Sequence, residues 1–298
     1  MKFKELQDQN SAIDFLADHL INGTLVLFLG AGASKGFGLP NWFELINKFR
    51  GKVGLCAINN STTPEIMQNA MDEAIDIIKN DESKKIKIVK EILYPSTNEL
   101  SVKLAYSSHL LISISSLLIG RKRGHIKRVV TFNYDSMLEW FLSLFGFQVN
   151  SINELPALEG SEDVRIYHPH GFVPHPSLDF RESDFLILGL KDANNRIGAR
   201  NDPWVEKLRQ IMETGVCLFV GLSGNSLSDR VIAPILSTTG DFFKDERPLG
   251  IWIYKDKLTD DKQKEYFRNN IIPIEMLEDS EISEFLLKIS QNALEKRK

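Results

Sequence analysis

Two rhythms of apolar positions alternate along the chain. Residues 10–20 place Ile13, Phe15, Leu16 and Leu20 at helical spacing, with Asn10 or Ser11 suited to cap the start. Residues 24–29 then form an unbroken, partly β-branched apolar run, which predicts a parallel strand covered on both faces. Runs of the same kind recur at 129–132, 164–168, 216–221 and 250–255, and more weakly at 271–276. Helical patterns at 136–145, 203–214, 227–237 and 283–295 separate most of them, and a helix over 41–49 follows Pro40. Strands alternating with helices predict an α/β fold built on a doubly wound, mostly parallel sheet. Residues 64–124 are almost wholly helical in pattern, which predicts a helical insertion inside a single domain covering residues 1–298.

Composition narrows the class. A chain of 298 residues can bury roughly three quarters of its unfolded surface, enough for a large core. The net charge of -4 offers no broad basic footprint for nucleic acid or an anionic membrane, and the run Arg121, Lys122, Arg123 reads as a solvated loop. Two cysteines, Cys56 and Cys217, are too few for a disulfide framework or a four-cysteine zinc site, which fits a reducing cytoplasm. The polar start MKFKELQDQN leads into no signal-peptide core. The apolar segment 110–120 is too short to span a bilayer and carries three serines, so it reads as a buried helix.

Ligands of an open parallel sheet bind outside the carboxyl ends of its strands. Three polar motifs fall at such ends: GAGAS (Gly30, Ala31, Gly32, Ala33, Ser34), FNYDS (132–136) and GLSGNSLSD (221–229). Glycines in the first let a turn reach positive φ and let backbone N–H groups approach phosphate oxygens; a ligand-free tight turn is the alternative. The spacing is not a dehydrogenase fingerprint, since the third glycine would fall at Lys35, and the lysine-hydroxyl ending of a P-loop is absent. In FNYDS, Asn133 and Asp135 are site residues or, with Ser136, simple turn formers and a cap. YHPHG offers His168 and His170, as core or surface histidines or as ligands, but no further close ligand completes a metal set apart from His175. GLSGNSLSD suggests a second phosphate or ribose cradle, with Ser226 or Ser228 capping the next helix.

In this order, GAGAS with GLPNW, then TFNYD, then HG, then GLS with a following Asp resembles the sirtuin-like family, in particular its bacterial NAD-cleaving, anti-phage branch. The resemblance implies a Rossmann-like domain holding NAD. It implies cofactor-site roles for Gly30, Ala31, Gly32, Ala33, Ser34 and Trp42 in the first loop and for Gly221, Ser223 and Asp229 in the later one. Asn133 matches the family's ribose-contacting amide and His170 its general base, with Asp135 as an accessory. The chain departs from protein-deacylating sirtuins: Asn41, Trp42 and Phe43 replace an Asp-Phe-Arg run, the four-cysteine zinc module is missing, and Phe132 precedes the key asparagine. These departures speak against acyl-lysine chemistry and leave the NAD pocket intact.

The expectation is therefore an NAD glycohydrolase releasing nicotinamide and ADP-ribose, with no zinc and no cofactor beyond NAD as substrate. The resemblance also implies a cytoplasmic, homo-oligomeric, NAD-depleting effector of anti-phage defence. Such a protein would be held in check by assembly or by a partner such as a motor ATPase or a phage component. A non-catalytic NAD or ADP-ribose sensor is the alternative, and a protein deacylase a weaker one.

Overall fold

The computed structural model describes residues 3–59, 63–95, 107–120, 124–157, 160–196, 202–227, 232–243, 247–255 and 258–298. The run at Arg121, Lys122 and Arg123 lies outside them, as do Ser228 and Asp229. Helix α1 (Gln9–Ile21) leads into β1 (Leu25–Leu29). Its cap is Asp8, ahead of the predicted Asn10 and Ser11; the carboxylate accepts from the Ser11 amide at 2.9 Å. Then come α2 (Trp42–Lys52), α3 (Pro64–Ile77), α4 (Glu82–Leu93), α5 (His109–Leu118) and β2 (Arg128–Thr131). They are followed by α6 (Met137–Leu144), β3 (Val149–Ile152), β4 (Val164–Tyr167), α7 (Leu190–Arg196), α8 (Pro203–Glu213) and β5 (Val216–Val220). The chain ends with α9 (Gly224–Leu227), α10 (Ile232–Phe242), β6 (Gly250–Tyr254), α11 (Asp260–Arg268), β7 (Ile271–Glu275) and α12 (Asp279–Glu295).

The strands form one sheet in the order β3-β4-β2-β1-β5-β6-β7, and every pairing is parallel. The sheet is thus a doubly wound, Rossmann-like one, and wholly rather than mostly parallel. The chain leaves β1 toward β2 and later returns on its other side through β5, so the topological switch point lies between β1 and β5. Period-two alternation explains why β1 is apolar throughout. Leu25, Leu27 and Leu29 pack with α1, α5 and α12, while Val26 and Phe28 pack with α8 and α10 on the opposite face. Phe28 meets Phe219 with ring centroids 5.0 Å apart, and both are fully buried. Each such ring is worth about 1.5–3 kcal/mol of transfer free energy.

Three elements carried little sequence signal. β3 is an edge strand, VNSI, three of whose residues are only half-buried, so neither an apolar run nor a clean alternation marks it. Helices α7 and α11 are dominated by polar residues, and α11 relies on the Thr259 cap, whose hydroxyl accepts from the Lys262 amide at 3.4 Å. β7 tolerates Pro273 because it is the other edge of the sheet.

Helices α2, α3 and α4 do not lie on either sheet face. Leu45, Ile46, Phe49, Met71, Ala74, Val89 and Ile92 form a third core with Tyr134, Val173, Leu186 and Leu188, which follow β2 and β4. Its anchor is ionic. Lys85 of α4 is fully buried and bridges Glu82 at 2.7 Å and Asp192 of α7 at 3.0 Å, and the Asp192 carboxylate also accepts from the Leu188 amide.

Candidate active site

Beyond the carboxyl ends of β2, β1 and β5 the chain encloses a cavity of about 530 Å³, within the usual range for a small-molecule site. Gly30, Ala31, Gly32, Ser34, Trp42, Asn133, Asp135, His170, Gly221 and Ser223 all line it. Two predicted residues do not join them: Ala33 is buried in the core, and Asp229 lies outside the described residues.

The two glycine loops are built against each other. A side chain on Gly30 would meet the Gly221 carbonyl at 2.5 Å, one on Gly32 would meet the Gly221 Cα at 2.8 Å, and one on Gly221 would meet the Ala33 nitrogen at 2.6 Å. Gly221 alone of these three has positive φ, at 69°. The expectation that Gly32 is needed for positive φ is therefore corrected: it is needed because another backbone touches it. Four of the five amides from Gly30 to Ser34 donate to protein carbonyls: Gly30 to Val220, Gly32 to Gly221, Ala33 to Gly30 and Ser34 to Ala31, at 2.9–3.2 Å. The loop thus uses most of its N–H groups on its own geometry rather than presenting them to phosphate.

Asn133 and Asp135 leave β2 in different directions. Asn133 Nδ2 donates to the Gly30 carbonyl at 3.1 Å and to Ser34 Oγ at 3.2 Å. This fixes the amide plane and turns Oδ1 away from the loop. Ser34 in turn donates to Asp135 Oδ1 at 3.0 Å, which also accepts from the Met137 amide at the start of α6. Asp135, not Ser136, therefore caps that helix; Ser136 Oγ instead accepts from the His175 amide. Burial pushes the Asp135 carboxyl up to about 6, against the opposing pull of its hydrogen bonds from Met137 and Ser34.

The two histidines of YHPHG separate cleanly. His168 is fully buried, its Nε2 2.7 Å from Glu139 Oε1 and its Nδ1 3.3 Å from the Asn133 carbonyl, so it supports the floor of the site. His170 lines the cavity beside Phe132, ring centroids 5.1 Å apart. Its backbone is set by Gly171, whose φ of 92° only glycine adopts readily, and its carbonyl accepts from the Ile187 amide. Among the described residues no cluster of three or more His, Cys, Asp or Glu side chains is placed to hold a metal ion.

Several lining residues had no sequence signal. Met67 and Gln68 of α3, Leu93 of α4 and Leu110 of α5 reach the cavity from the helical block, and Leu188 and Gly189 form part of the wall after His170. Helical periodicity marks such residues only as a buried face. Lys35, next to the GAGAS loop, and Lys255, at the end of β6, were findable from their place after strands.

Among the described residues no helix is long and apolar enough to cross a membrane. No curated protein matches the chain. Residues 127–274 match the family model described as the SIR2-like domain, a segment that holds Asn133, Asp135, His170, Gly221 and Ser223 and runs from just before β2 almost to the end of β7. That match supports a place for this chain among sirtuin-like proteins.

Proposed function

We propose that the protein hydrolyses NAD at its nicotinamide glycosidic bond, giving nicotinamide and ADP-ribose. The observation that carries this reading is the convergence of the Asn133 amide and the His170 imidazole on one cavity with both glycine loops. The C1′–N bond breaks with its electron pair going to the nicotinamide nitrogen, which leaves neutral, so no strong acid is needed. The ribose carbon becomes oxocarbenium-like and takes a water oxygen. Asn133, with Nδ2 held by Gly30 and Ser34, offers Oδ1 to a ribose hydroxyl or to that water without adding charge. The imidazole of His170 receives the water proton. Asp135 contributes indirectly, by holding Ser34.

The wider role belongs to the same proposal: a cytoplasmic, oligomeric effector that depletes NAD in anti-phage defence under the control of another chain. Its support is the resemblance of the motifs. The test is chromatography of products after incubation with NAD, with the protein alone and in lysate of phage-infected cells. Equimolar nicotinamide and ADP-ribose are expected. Saturable binding without release would instead identify a sensor, and release that requires an acylated peptide a deacylase.

A further inference from the structure

Four of the five amides in the GAGAS loop are bonded to carbonyls, and the Ser34 hydroxyl donates to Asp135. A dinucleotide in this cavity would therefore find little of the GAGAS backbone left to neutralise its diphosphate. Among the described residues the charged side chains on the cavity wall are few. Lys255 is paired with Asp279 at 2.9 Å, Asp135 Oδ1 accepts from Ser34 and Met137 beneath the loop, and Lys35 is exposed. Among the described residues Lys35 has no carboxylate within ion-pair distance. It begins the short turn Lys35–Phe37, directly after Ser34 and just past the carboxyl end of β1, one of the two strands that flank the switch point, and it lines the cavity there.

We infer that Lys35 is the cation that binds the diphosphate, taking the part that loop amides play in phosphate cradles. The inference rests on the nucleotide reading above. An ammonium is a compact point charge with rotatable donors, suited to a diphosphate whose oxygens shift during the reaction. A lysine whose only partner is the ligand would otherwise remain in solvent, as Lys35 does. Lys255 is the internal comparison: it lines the same cavity, but Asp279 already neutralises it.

The experiment is calorimetric titration of the full chain with NAD, ADP-ribose and adenosine, the last carrying no phosphate. Lys35→Ala should weaken ADP-ribose binding by about tenfold, the scale of one charge-assisted hydrogen bond at an accessible site, and flatten its dependence on salt. Adenosine binding should not change. Lys35→Arg should restore most of the loss, and Lys255→Ala should cost less than Lys35→Ala. Unchanged ADP-ribose binding in Lys35→Ala, or an equal loss for adenosine, overturns the assignment while leaving the nucleotide reading in place. Failure of the unaltered protein to bind either NAD or ADP-ribose overturns the nucleotide reading, and Lys35 with it.

Discussion

Asp135 accepts twice, from the Met137 amide and the Ser34 hydroxyl, and is almost wholly buried. Its carboxyl is raised from 3.8 to about 6, so the folded state holds a proton that the unfolded chain releases earlier. The sign follows: this contribution to stability is complete below the unfolded value and is lost as pH rises through the folded one. Asp135→Asn keeps an oxygen for both donors and does not titrate. Relative to it, the wild type should lose on the order of 3 kcal/mol of stability between pH 4 and 7, two units at about 1.4 kcal/mol each. Denaturant melts across that range provide the check. Parallel pH profiles for the two proteins would show that the buried carboxyl carries no such linkage. Asn133, two residues earlier, was legible as a site residue only through the company of its motif. Nothing in FNYDS alone distinguishes the amide that faces the cavity from the carboxylate that caps α6, because that difference is made by Ser34, distant in sequence.

Strands were the most legible elements. β1, β5 and β6 are covered on both faces and therefore read as unbroken apolar runs, whereas the edge strand β3 has to satisfy only one neighbour. The loops between elements were legible in composition but not in cause: GAGAS and GLS looked like two separate cradles, and they are one interlocked pair. Gly32→Val should consequently unfold the protein at lower temperature rather than merely exclude ligand, since its side chain would enter Gly221. A melting temperature lowered by several degrees in the absence of any nucleotide is the expected result. Retention of the wild-type melt together with lost ligand binding would mean that the loops are less tightly docked than they stand here.

At the scale of the molecule, the helical block and the wall of the cavity form one unit. Lys85 joins α4 to Asp192, Asp72 of α3 accepts from the Lys191 amide, and the segment between the histidine loop and α7 is caught between them. The length of the helical pattern over 64–124 predicts a cover for the pocket or a self-association surface, and Met67, Gln68, Leu93 and Leu110 do line the cavity. No pattern separates α3 and α4, which stand off the sheet faces, from α5, which packs on one, since the ionic contacts pair residues about a hundred positions apart. Lys85→Met leaves Asp192 buried without its cation and should cost about 3–5 kcal/mol in urea unfolding. The double change Lys85→Met with Asp192→Asn should recover part of it. A loss below about 1 kcal/mol for the single change would show that the block is held by its apolar contacts alone.

The central claim is that Asn133 and His170 act on the glycosidic bond of NAD within one cavity. It is tested most directly by nicotinamide release from NAD in the same lysate background for the wild type, Asn133→Ala and His170→Ala, with melting curves of each purified protein. Both side chains are half-buried at the cavity wall and belong to no apolar core cluster, so the melts should stay within a few degrees of wild type. Release should fall by about 10²-fold or more in each variant, the usual effect of removing a positioned base or polar contact from a reacting centre. Release at the wild-type rate by both folded variants would contradict the account.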